Sequence, residues 1–393
     1  MHIVHLIGTL DRGGAELFLV RLCLGLARLE PGWRQEVWTL AQRGSLADDL
    51  EARGVTVRAF GLRKSPAAPV RAAHLVAALG RSRAAVLHTW MYHADAVGVA
   101  ARACGSRIPQ VWTLRQSNLS AEMNRPATRA LIRLCAWAST RVPAAIVAGS
   151  QAALEAHRAC GYGARHMPVI RNGVETARFH PDAARRAAIR DAWGVSSGTR
   201  VIGYLARMAP VKGHADLLDA ATSLARRVPH LDWRLALVGA GATAAHPAIA
   251  RAIGRSGLGA RLLLPGEHPA PEAVLPGFDI AVSSSLGEGF PNGVAEAMAC
   301  GVPVVATRVG DSAELVGDTG WLVPPGDAEA LADALQGALE LPGETLAAAG
   351  QAARQRVETA FHERDAVAAY AALYRAVAAG TARDGVSSGL SPL

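Results

Sequence analysis

The sequence predicts two consecutive α/β domains, each built on a parallel, doubly wound sheet. Three observations support this fold class. The chain has 393 residues, more than the ~250–300 residues over which one hydrophobic core usually extends. Half of the residues are hydrophobic and 19% are charged, which is typical of well-packed globular proteins. Short apolar runs also alternate with longer segments rich in alanine and leucine, as in repeated β-α-β units.

The first half of the chain contains one series of these units. Helices are predicted near 15–29 and 46–53, and helix-like sequence follows each later strand. Strands are predicted at His2–Ile7, Gln35–Leu40, Val55–Phe60, Ala85–Thr89, Gln110–Leu114 and Ala144–Ala148. Residues 1–175 are therefore predicted to form one Rossmann-like domain.

The second half contains another series. Strands are predicted at Arg200–Leu205, Trp233–Val238, Arg261–Leu264, Ile280–Ser283 and Val302–Ala306. The connection from Val169 to Pro181 contains Asn172-Gly173 and precedes a helix that ends near Trp193. We therefore predict a second Rossmann-like domain at residues 176–380, including a last helix near 365–379. The Gly/Ser-rich residues 381–393 are predicted to be a disordered tail.

Charge narrows the classes of partner. The formal net charge of +8 and the pI near 9.8 favour nucleic acid, a phosphate-bearing substrate or an acidic lipid surface. Aromatic residues make up only 5% and are scattered, and no zinc-finger or RNA-binding motif is present. The sequence therefore predicts no nucleic-acid partner.

Cysteine usage and hydropathy indicate a cytoplasmic protein. The five cysteines show no two-residue spacing, which argues against a disulfide framework and a zinc ribbon. The N-terminus resembles a first strand instead of a signal peptide. No apolar stretch approaches the ~20 residues that span a bilayer. Peripheral attachment to the inner face of a membrane stays open.

The most informative segment is Asp279–Ala306, with the sequence DIAVSSSLGEGFPNGVAEAMACGVPVVA. A strand is followed by a Gly-rich loop that carries Glu288, and a helix from about Gly293 carries Glu296. Unpaired N–H groups at the start of such a helix favour a phosphate. The spacing of the two glutamates does not suit an acid/base pair at one bond. For an isolated pair of glutamates, a capping loop followed by a core helix with a surface glutamate is the more common interpretation, and the surrounding residues reverse that preference.

Residues 288–310, with the sequence EGFPNGVAEAMACGVPVVATRVG, closely resemble the two-glutamate motif of glycosyltransferase family four, whose members have the GT-B fold: two Rossmann-like domains facing across a cleft. The resemblance implies that Glu288 contacts the donor sugar and Glu296 the ribose of the nucleotide. It also places the intervening backbone, from Phe290 to Val294, along the diphosphate and sugar. The implied donor-binding residues of this loop are Gly289, Phe290, Pro291, Asn292 and Gly293.

A pair of cations follows the first strand of the second domain. Arg207 and Lys212, in the segments YLAR and VKG, resemble the arginine and lysine with which the family holds the donor diphosphate. Fixed cations stabilise the negative charge that develops on the leaving group. The resemblance therefore implies a catalytic set of Arg207, Lys212 and Glu288.

Two further glycine segments resemble the family. Gly8–Glu16 contains Gly13-Gly14 before a helix and is neither a dinucleotide fingerprint nor a P-loop. It resembles the N-terminal glycine loop that closes over the donor phosphates. Gly266 lies where the family often receives the base. Gly239-Ala240-Gly241 is a lone Gly-x-Gly and by itself indicates nothing specific.

The acceptor side is less determined. His88 and His93 are five residues apart, which is not the spacing that places two histidines on one helical face. We therefore expect a structural or acceptor-side role for them. The chain has no Asp-x-Asp triplet, so neither a metal nor another cofactor is expected. Arg115 and Gln116 occupy a strand-end loop where many relatives carry a histidine. Since neither is a general base at neutral pH, no catalytic base is assigned.

The segment Ala121–Arg141 predicts an amphipathic helix, with Pro126 in its first turn. Arg125, Arg129 and Arg133 recur every four residues, and the apolar residues are Leu131, Leu134, Trp137 and Ala138. Two interpretations stay open. The helix either docks on an anionic membrane surface, or its apolar side packs into the domain below a solvated basic stripe.

The resemblance implies a retaining, metal-independent hexosyl- or N-acetylhexosaminyltransferase. The expected donor is a UDP-sugar, bound mainly by the second domain. The expected acceptor is a glycan or a lipid-linked intermediate of cell-surface polysaccharide synthesis. Two alternatives are a GT-B nucleotide-sugar epimerase and a degenerate, non-catalytic nucleotide-sugar-binding protein. Turnover of a donor with and without an acceptor separates all three.

Overall fold

The fold is described from a computed structural model, which describes residues 1–62, 66–119, 124–256 and 258–382. Two compact units are present. Unit 1 comprises the chain up to Asn172 together with a segment that begins at Glu363, and unit 2 comprises Gly173–His362.

In unit 1, six strands alternate with helices. The elements are β1 (His2–Ile7), α1 (Gly14–Leu29), β2 (Arg34–Thr39), α2 (Ala47–Glu51), β3 (Thr56–Ala59), α3 (Ala68–Arg81), β4 (Val86–Trp90), α4 (Met91–Ala103), β5 (Gln110–Leu114), α5 (Pro126–Ser139), β6 (Pro143–Ala148) and α6 (Gln151–Ala159). The strands form a parallel sheet in the order β3-β2-β1-β4-β5-β6.

Unit 2 repeats this plan. Its elements are α7 (Ala183–Ala192), β7 (Arg200–Leu205), α8 (His214–Arg227), β8 (Trp233–Val238), α9 (Pro247–Ser256), β9 (Leu262–Gly266), α10 (Pro271–Val274), β10 (Ile280–Ser283), α11 (Asn292–Ala299), β11 (Val304–Thr307), α12 (Ser312–Val316), β12 (Trp321–Val323), α13 (Ala328–Glu340) and α14 (Gly343–Ala360). The sheet is parallel in the order β12-β11-β10-β7-β8-β9. The predicted α/β class is thus confirmed, although β12 was not predicted.

Local sequence explains where several helices begin. Ser150 accepts a hydrogen bond from the N–H of Ala153 at the start of α6. Asp182 and Asp327 cap α7 and α13 in the same way. These side chains satisfy N–H groups that have no partner within the helix, and so they set its first residue. Most of the strands are largely apolar because helices cover both faces of a parallel sheet.

The last helix, α15 (Glu363–Ala378), belongs to unit 1. Its residues Val367, Tyr370 and Tyr374 are buried with α1 and β1 in one hydrophobic cluster. Gly25 of α1 is so close to this helix that an added Cβ would lie 2.5 Å from Val367. The prediction that residues 363–380 belong to the second domain is therefore wrong. An amphipathic pattern indicates that a helix packs, and does not indicate which sheet it covers.

The predicted disordered tail lies, from residue 383 onward, outside the described residues. Among the residues that the structure does describe, no helix combines the length and apolar character needed to cross a membrane.

Candidate functional site

Unit 2 has its topological switch point between β7 and β10, where the order of the strands reverses. Ligands of doubly wound sheets bind at the carboxyl ends of the strands at such a point. Arg207 and Lys212 follow the end of β7, and the loop with Glu288 follows the end of β10. The fold therefore brings the three residues predicted to be catalytic to one edge of one sheet.

Lys212 and Glu288 form an ion pair at this edge. Lys212 Nζ lies 2.5 Å from Glu288 Oε1, and the two side chains are 25% and 14% exposed. The hydroxyl of Ser285 also donates to Glu288 Oε1, at 2.7 Å. The carboxylate thus has a fixed position, and the ammonium is open enough to meet a ligand anion.

Buried hydroxyl groups hold the backbone of Lys212. The carbonyl of Lys212 accepts hydrogen bonds from the Tyr204 hydroxyl at 2.7 Å and from Ser284 Oγ at 3.1 Å. Burial raises the pKa of Tyr204 to about 12, so its hydroxyl stays protonated and can donate. Gly213 adopts φ 61°, and a Cβ at this position would lie 1.9 Å from the Ser284 carbonyl oxygen. Only glycine fits there.

Tyr204, Ser284 and Ser285 are positioning residues that the sequence prediction did not assign. Tyr204 lies eight residues before Lys212 in the chain, and Ser285 lies three before Glu288. Two other contacts connect distant parts of the chain: Ser284 contacts Lys212 across 72 residues, and Tyr204 contacts Ser285 across 81 residues. The only signal in the sequence was the run of three serines at the end of a strand.

Arg207 is exposed and forms no ion pair with any residue in the described part of the chain. Its turn packs against the Gly239-Ala240-Gly241 segment. The N–H of Met208 donates to the Ala240 carbonyl at 2.8 Å. A Cβ on Gly239, whose φ is 149°, would lie 2.2 Å from the Ala206 carbonyl oxygen. The lone Gly-x-Gly is therefore required for close backbone approach beside the exposed cation.

Gly266 lies next to this turn. It ends β9 with φ 80°, and its carbonyl accepts the N–H of Gly239 at 2.9 Å. An added Cβ would meet nothing within 4 Å. Gly266 thus borders open space beside the turn of Arg207.

The Gly-rich loop enters α11 through residues of contrasting exposure. Phe290 and Pro291 are buried, Gly289 and Asn292 are half-buried, and Gly293 is exposed. The loop rests on a second loop, because a Cβ on Gly310 (φ 54°) would lie 2.3 Å from the Gly289 carbonyl oxygen. The half-buried side chain of Glu296 projects from α11 itself. The two glutamates are therefore held by separate elements.

In unit 1, the glycine loop connects β1 to α1. Gly13 immediately precedes the helix and Gly14 is its first residue. Thr9 Oγ1 donates to the Asp11 carboxylate at 2.8 Å. The Glu16 carboxylate lies against Gly13, since a Cβ there would be 2.3 Å from Glu16 Oε2. Two carboxylates thus lie near this helix N-terminus.

The structure favours a structural role for His88. Its side chain is completely buried, and its ring nitrogens contact Thr113 and, at 2.7 Å, the hydroxyl of Tyr374. Burial holds the pKa of His88 well below its usual value, so the ring is neutral. An acceptor cannot reach this residue. His93, in contrast, is exposed on α4.

Arg115 and Gln116 follow β5 in the same loop. The Gln116 amide donates to the Asn118 carbonyl and to Asn124 Oδ1, so it holds its own loop together. Arg115 contacts Asn172 and, at 2.6 Å, the hydroxyl of Tyr370. The contact with Tyr370 spans 255 residues of sequence and was not predictable from local patterns.

Of the two interpretations of α5, the structure supports elements of both. Ile132, Cys135, Ala136 and Ala138 are buried, so part of the apolar side, including Ala138, packs into unit 1. Leu134 and Trp137 are 43% and 64% exposed. Residues 121–123 of the predicted segment lie outside the described residues.

The described residues contain no group of three or more histidine, cysteine, aspartate or glutamate side chains placed to hold a metal ion.

Two family models match separate parts of the chain. Glycosyltransferase Family 4 matches residues 12–178, and Glycosyl transferases group 1 matches residues 199–340. The lipopolysaccharide core biosynthesis mannosyltransferase LpsB of Rhizobium meliloti is 32% identical over 53% of this chain and 60% of its own length. The chain thus spans less than two thirds of that relative.

A longer alignment exists with the D-inositol 3-phosphate glycosyltransferase of Rhodococcus erythropolis, which is 29% identical over 88% of this chain and 83% of its own length. Among solved structures, the crystal structure of Anabaena HepE in complex with UDP is 25% identical. It aligns with a TM-score of 0.82 over 96% of this chain and 100% of that chain.

Proposed function

The chain belongs to glycosyltransferase family 4, with the GT-B fold, and we propose that it transfers a sugar from a UDP-sugar to a glycan or lipid-linked acceptor, with retention. Unit 2 binds the donor, and unit 1 binds the acceptor. The observation that carries the proposal is the meeting of Arg207, Lys212 and Glu288 at the switch point of unit 2.

The two cations act on the leaving diphosphate. As the bond between the sugar and the phosphate breaks, negative charge grows on the phosphate oxygens. Arg207 is exposed and unpaired among the described residues, and Lys212 is held by its backbone. Because both cations lie at the switch point of unit 2, they stabilise the charge that develops in the transition state. No metal ion is required to supply this positive charge.

Donor binding exchanges the partner of Lys212. In the free protein its ammonium faces Glu288. A bound diphosphate carries more charge and draws the ammonium away, so that the Glu288 carboxylate, still held by Ser285, also accepts hydrogen bonds from sugar hydroxyls. Glu296 accepts from the ribose. The acceptor proton passes to the departing phosphate, since neither Arg115 nor Gln116 is a base at neutral pH.

The activities of the relatives support this class of reaction, and the sugar and the acceptor are identified by experiment. One relative is a mannosyltransferase and another acts on D-inositol 3-phosphate, while HepE was solved with UDP. UDP- and GDP-sugars are therefore screened in parallel for thermal stabilisation, because a ligand that binds the folded form raises the Tm.

Turnover decides between the proposal and its alternatives. Donor consumption that depends on an added acceptor supports a transferase. Epimerised or hydrolysed donor at the same rate without acceptor identifies an epimerase, and binding without turnover of any donor identifies a non-catalytic protein.

We also propose that α5 contacts an anionic membrane where a lipid-linked acceptor resides. Exposed Leu134 and Trp137 share one face with Arg133, and the Arg141 guanidinium carbon lies 5.4 Å from the Trp137 ring centroid. Aromatic rings with adjacent basic residues suit the membrane interface. Each basic residue near such a surface contributes about 1 kcal/mol at low salt.

Liposome co-sedimentation tests this surface. The wild type is expected to bind anionic vesicles at low salt and to dissociate at high salt. Trp137→Ser and Arg133→Gln should each weaken binding. Val70→Ser is a matched control, because Val70 is 61% exposed on a different helix of unit 1. Equal binding of all variants, or none by the wild type, rejects the membrane surface.

A further inference from the structure

Unit 1 has its own switch point, between β1 and β4, and the Arg115 side chain lies there. Arg115 follows β5, the strand next to β4. Its guanidinium carbon is 4.2 Å from the ring centroid of Phe18, on the helix after β1, and 5.2 Å from that of Trp90, at the end of β4. A full positive charge therefore occupies the position where doubly wound sheets bind ligands.

This charge has no counter-ion in the described protein. Arg115 donates through Nη1 to Asn172 Oδ1 and through Nη2 to the Tyr370 hydroxyl. Both acceptors are neutral, because burial also raises the pKa of the Tyr370 phenol. No carboxylate of the described residues forms an ion pair with Arg115. A second cation, Arg21, acts on it electrostatically and lowers its pKa further than burial does alone.

Some of the hydrogen-bond donors of Arg115 are also unused. A guanidinium has five N–H donors, and two are used. Nε is buried and has no hydrogen-bond partner. A buried charge that lacks a partner is costly, and an unused guanidinium fork matches an oxyanion. The structure thus provides the donors and the charge of an anion site and supplies no protein anion to fill it.

Two backbone features at this edge are consistent with a site shaped for a ligand. Gly149 follows β6, and a Cβ there would lie 3.0 Å from Arg115 Cδ and Nη1, so any side chain would crowd the guanidinium. Met91, directly after β4, has φ 68° and is the only non-glycine residue of the described chain with positive φ. Such strain is concentrated at functional sites.

We propose that Arg115 binds a phosphoryl group of the acceptor. A phosphoryl group offers three terminal oxygens to the unused donors and up to two negative charges to the uncompensated cation. This inference rests on the proposed function, because it names the chemistry of the acceptor that unit 1 receives. The phosphoryl group belongs either to a water-soluble sugar phosphate or to a lipid-linked phosphate.

The test uses the full chain with its donor site filled. A saturating nucleotide, UDP or GDP, first occupies the cations of unit 2, and inorganic phosphate is then titrated while the Tm is recorded. In the wild type, phosphate should raise the Tm further. In Arg115→Met, the Kd for phosphate should rise at least tenfold, since a charge-assisted contact is lost. Arg165→Met removes an exposed arginine elsewhere in unit 1 and should leave the Kd unchanged.

Arg115→Lys separates binding from folding. It keeps the charge but loses the fork, and we expect an intermediate Kd. If Arg115 served only to tie its loop to α15, both variants would lower the Tm without ligand and leave the phosphate-induced shift as in the wild type. That result overturns the inference. Failure of nucleotide to bind would reject the proposed donor site, and phosphate titrated alone would still test Arg115.

Two further ligands identify the source of the phosphoryl group. Glucose 1-phosphate represents a soluble acceptor, and a short-chain isoprenyl phosphate in detergent represents a lipid-linked one. The proposal requires that at least one of these ligands binds in an Arg115-dependent manner. The ligand with the lower Kd identifies the source of the phosphoryl group. Independence of both from Arg115 contradicts it.

Discussion

Units 1 and 2 share one sheet topology, yet they present opposite chemistry at the carboxyl ends of their strands. In unit 2 the charged residues are accessible: Arg207 is exposed, and Lys212 and Glu288 are paired but partly open. In unit 1 His88 is completely buried, and the half-buried Arg115 packs against the aromatic rings of Phe18 and Trp90.

The difference arises from what closes each edge. Unit 2 builds its edge from the loops of β7 and β10, with Lys212 and Glu288 separated by 76 residues. In unit 1 the C-terminal helix α15 covers the edge. It supplies Tyr370, which lies 255 residues after Arg115, and Tyr374, which lies 286 residues after His88. One topology can therefore carry accessible charged side chains or a cluster of buried aromatic rings, depending on which helix packs over it.

The largest expected effect concerns the open edge. Arg207→Ala and Lys212→Ala should each reduce kcat by ~10²–10³, because each removes a cation from the developing charge. The Tm should change little, since Arg207 is exposed. Arg251→Ala, which removes another exposed arginine of unit 2, serves as the control. Near-normal turnover in either variant would show that unit 2 is not the donor site.

At the corresponding edge of unit 1, we expect a substitution to change the stability of the fold. Tyr374→Ala removes a completely buried aromatic ring and should lower the free energy of unfolding of unit 1 by about 3–5 kcal/mol. Urea-induced exposure of Cys23 reports on unit 1 and that of Cys300 on unit 2, because both thiols are buried. The midpoint for Cys23 should fall and that for Cys300 should stay. A parallel fall of both would mean that the units unfold together.

The two glutamates sharpen the assignment within unit 2. Glu296→Ala should weaken UDP binding roughly tenfold, whereas Glu288→Ala should mainly lower kcat. The reason is that the ribose is part of UDP and the sugar is not. Calorimetric titration with UDP, combined with steady-state kinetics, measures both effects. Equal losses of UDP affinity would refute the division of roles.

Acid should distinguish the units. Burial lowers the pKa of His5 to about 3 and of His157 to about 4, and holds that of His88 well below its usual value. All three lie in unit 1. The unfolded chain binds protons at these groups below pH 6.5 and the folded chain does not, so their stabilisation is complete above pH 6.5 and is lost as the pH falls.

Each proton that the unfolded state binds in excess of the folded state lowers the free energy of unfolding by about 1.4 kcal/mol for every unit by which the pH falls. Buried Asp95, whose pKa burial raises well above its usual value, opposes one of the three histidines. Unit 2 contains a single comparable histidine, His214, with a pKa lowered to about 4 by burial. Between pH 6.5 and 5 the urea midpoint for Cys23 should therefore fall more steeply than that for Cys300. Parallel slopes would contradict this assignment.

The smallest expected effect is that of a chelator. In the proposed mechanism Arg207 and Lys212 supply the positive charge at the diphosphate, so saturating EDTA should leave turnover unchanged. Loss of activity that Mn²⁺ restores would show that unit 2 binds its donor through a metal ion.

The sequence by itself determined the fold class, most strand positions and which charged residues lie together at one edge of unit 2. Buried parallel strands are continuous apolar runs, and their bounds at β1, β5, β7, β8 and β10 were predicted to the residue. Arg207, Lys212 and Glu288 belong to short motifs in loops next to those strands, so local order was sufficient to bring them to one edge.

Only the tertiary structure decided the placement of α15, the burial of His88 and the environment of Arg115. Periodicity shows that a helix has an apolar face, but the partner of that face is selected by packing over the whole chain. The same holds for Gly239 and Gly213, whose importance depends on carbonyl groups of distant loops. Residues that meet across hundreds of intervening residues leave no local pattern, because the sequence around each of them reflects only its own helix, strand or loop.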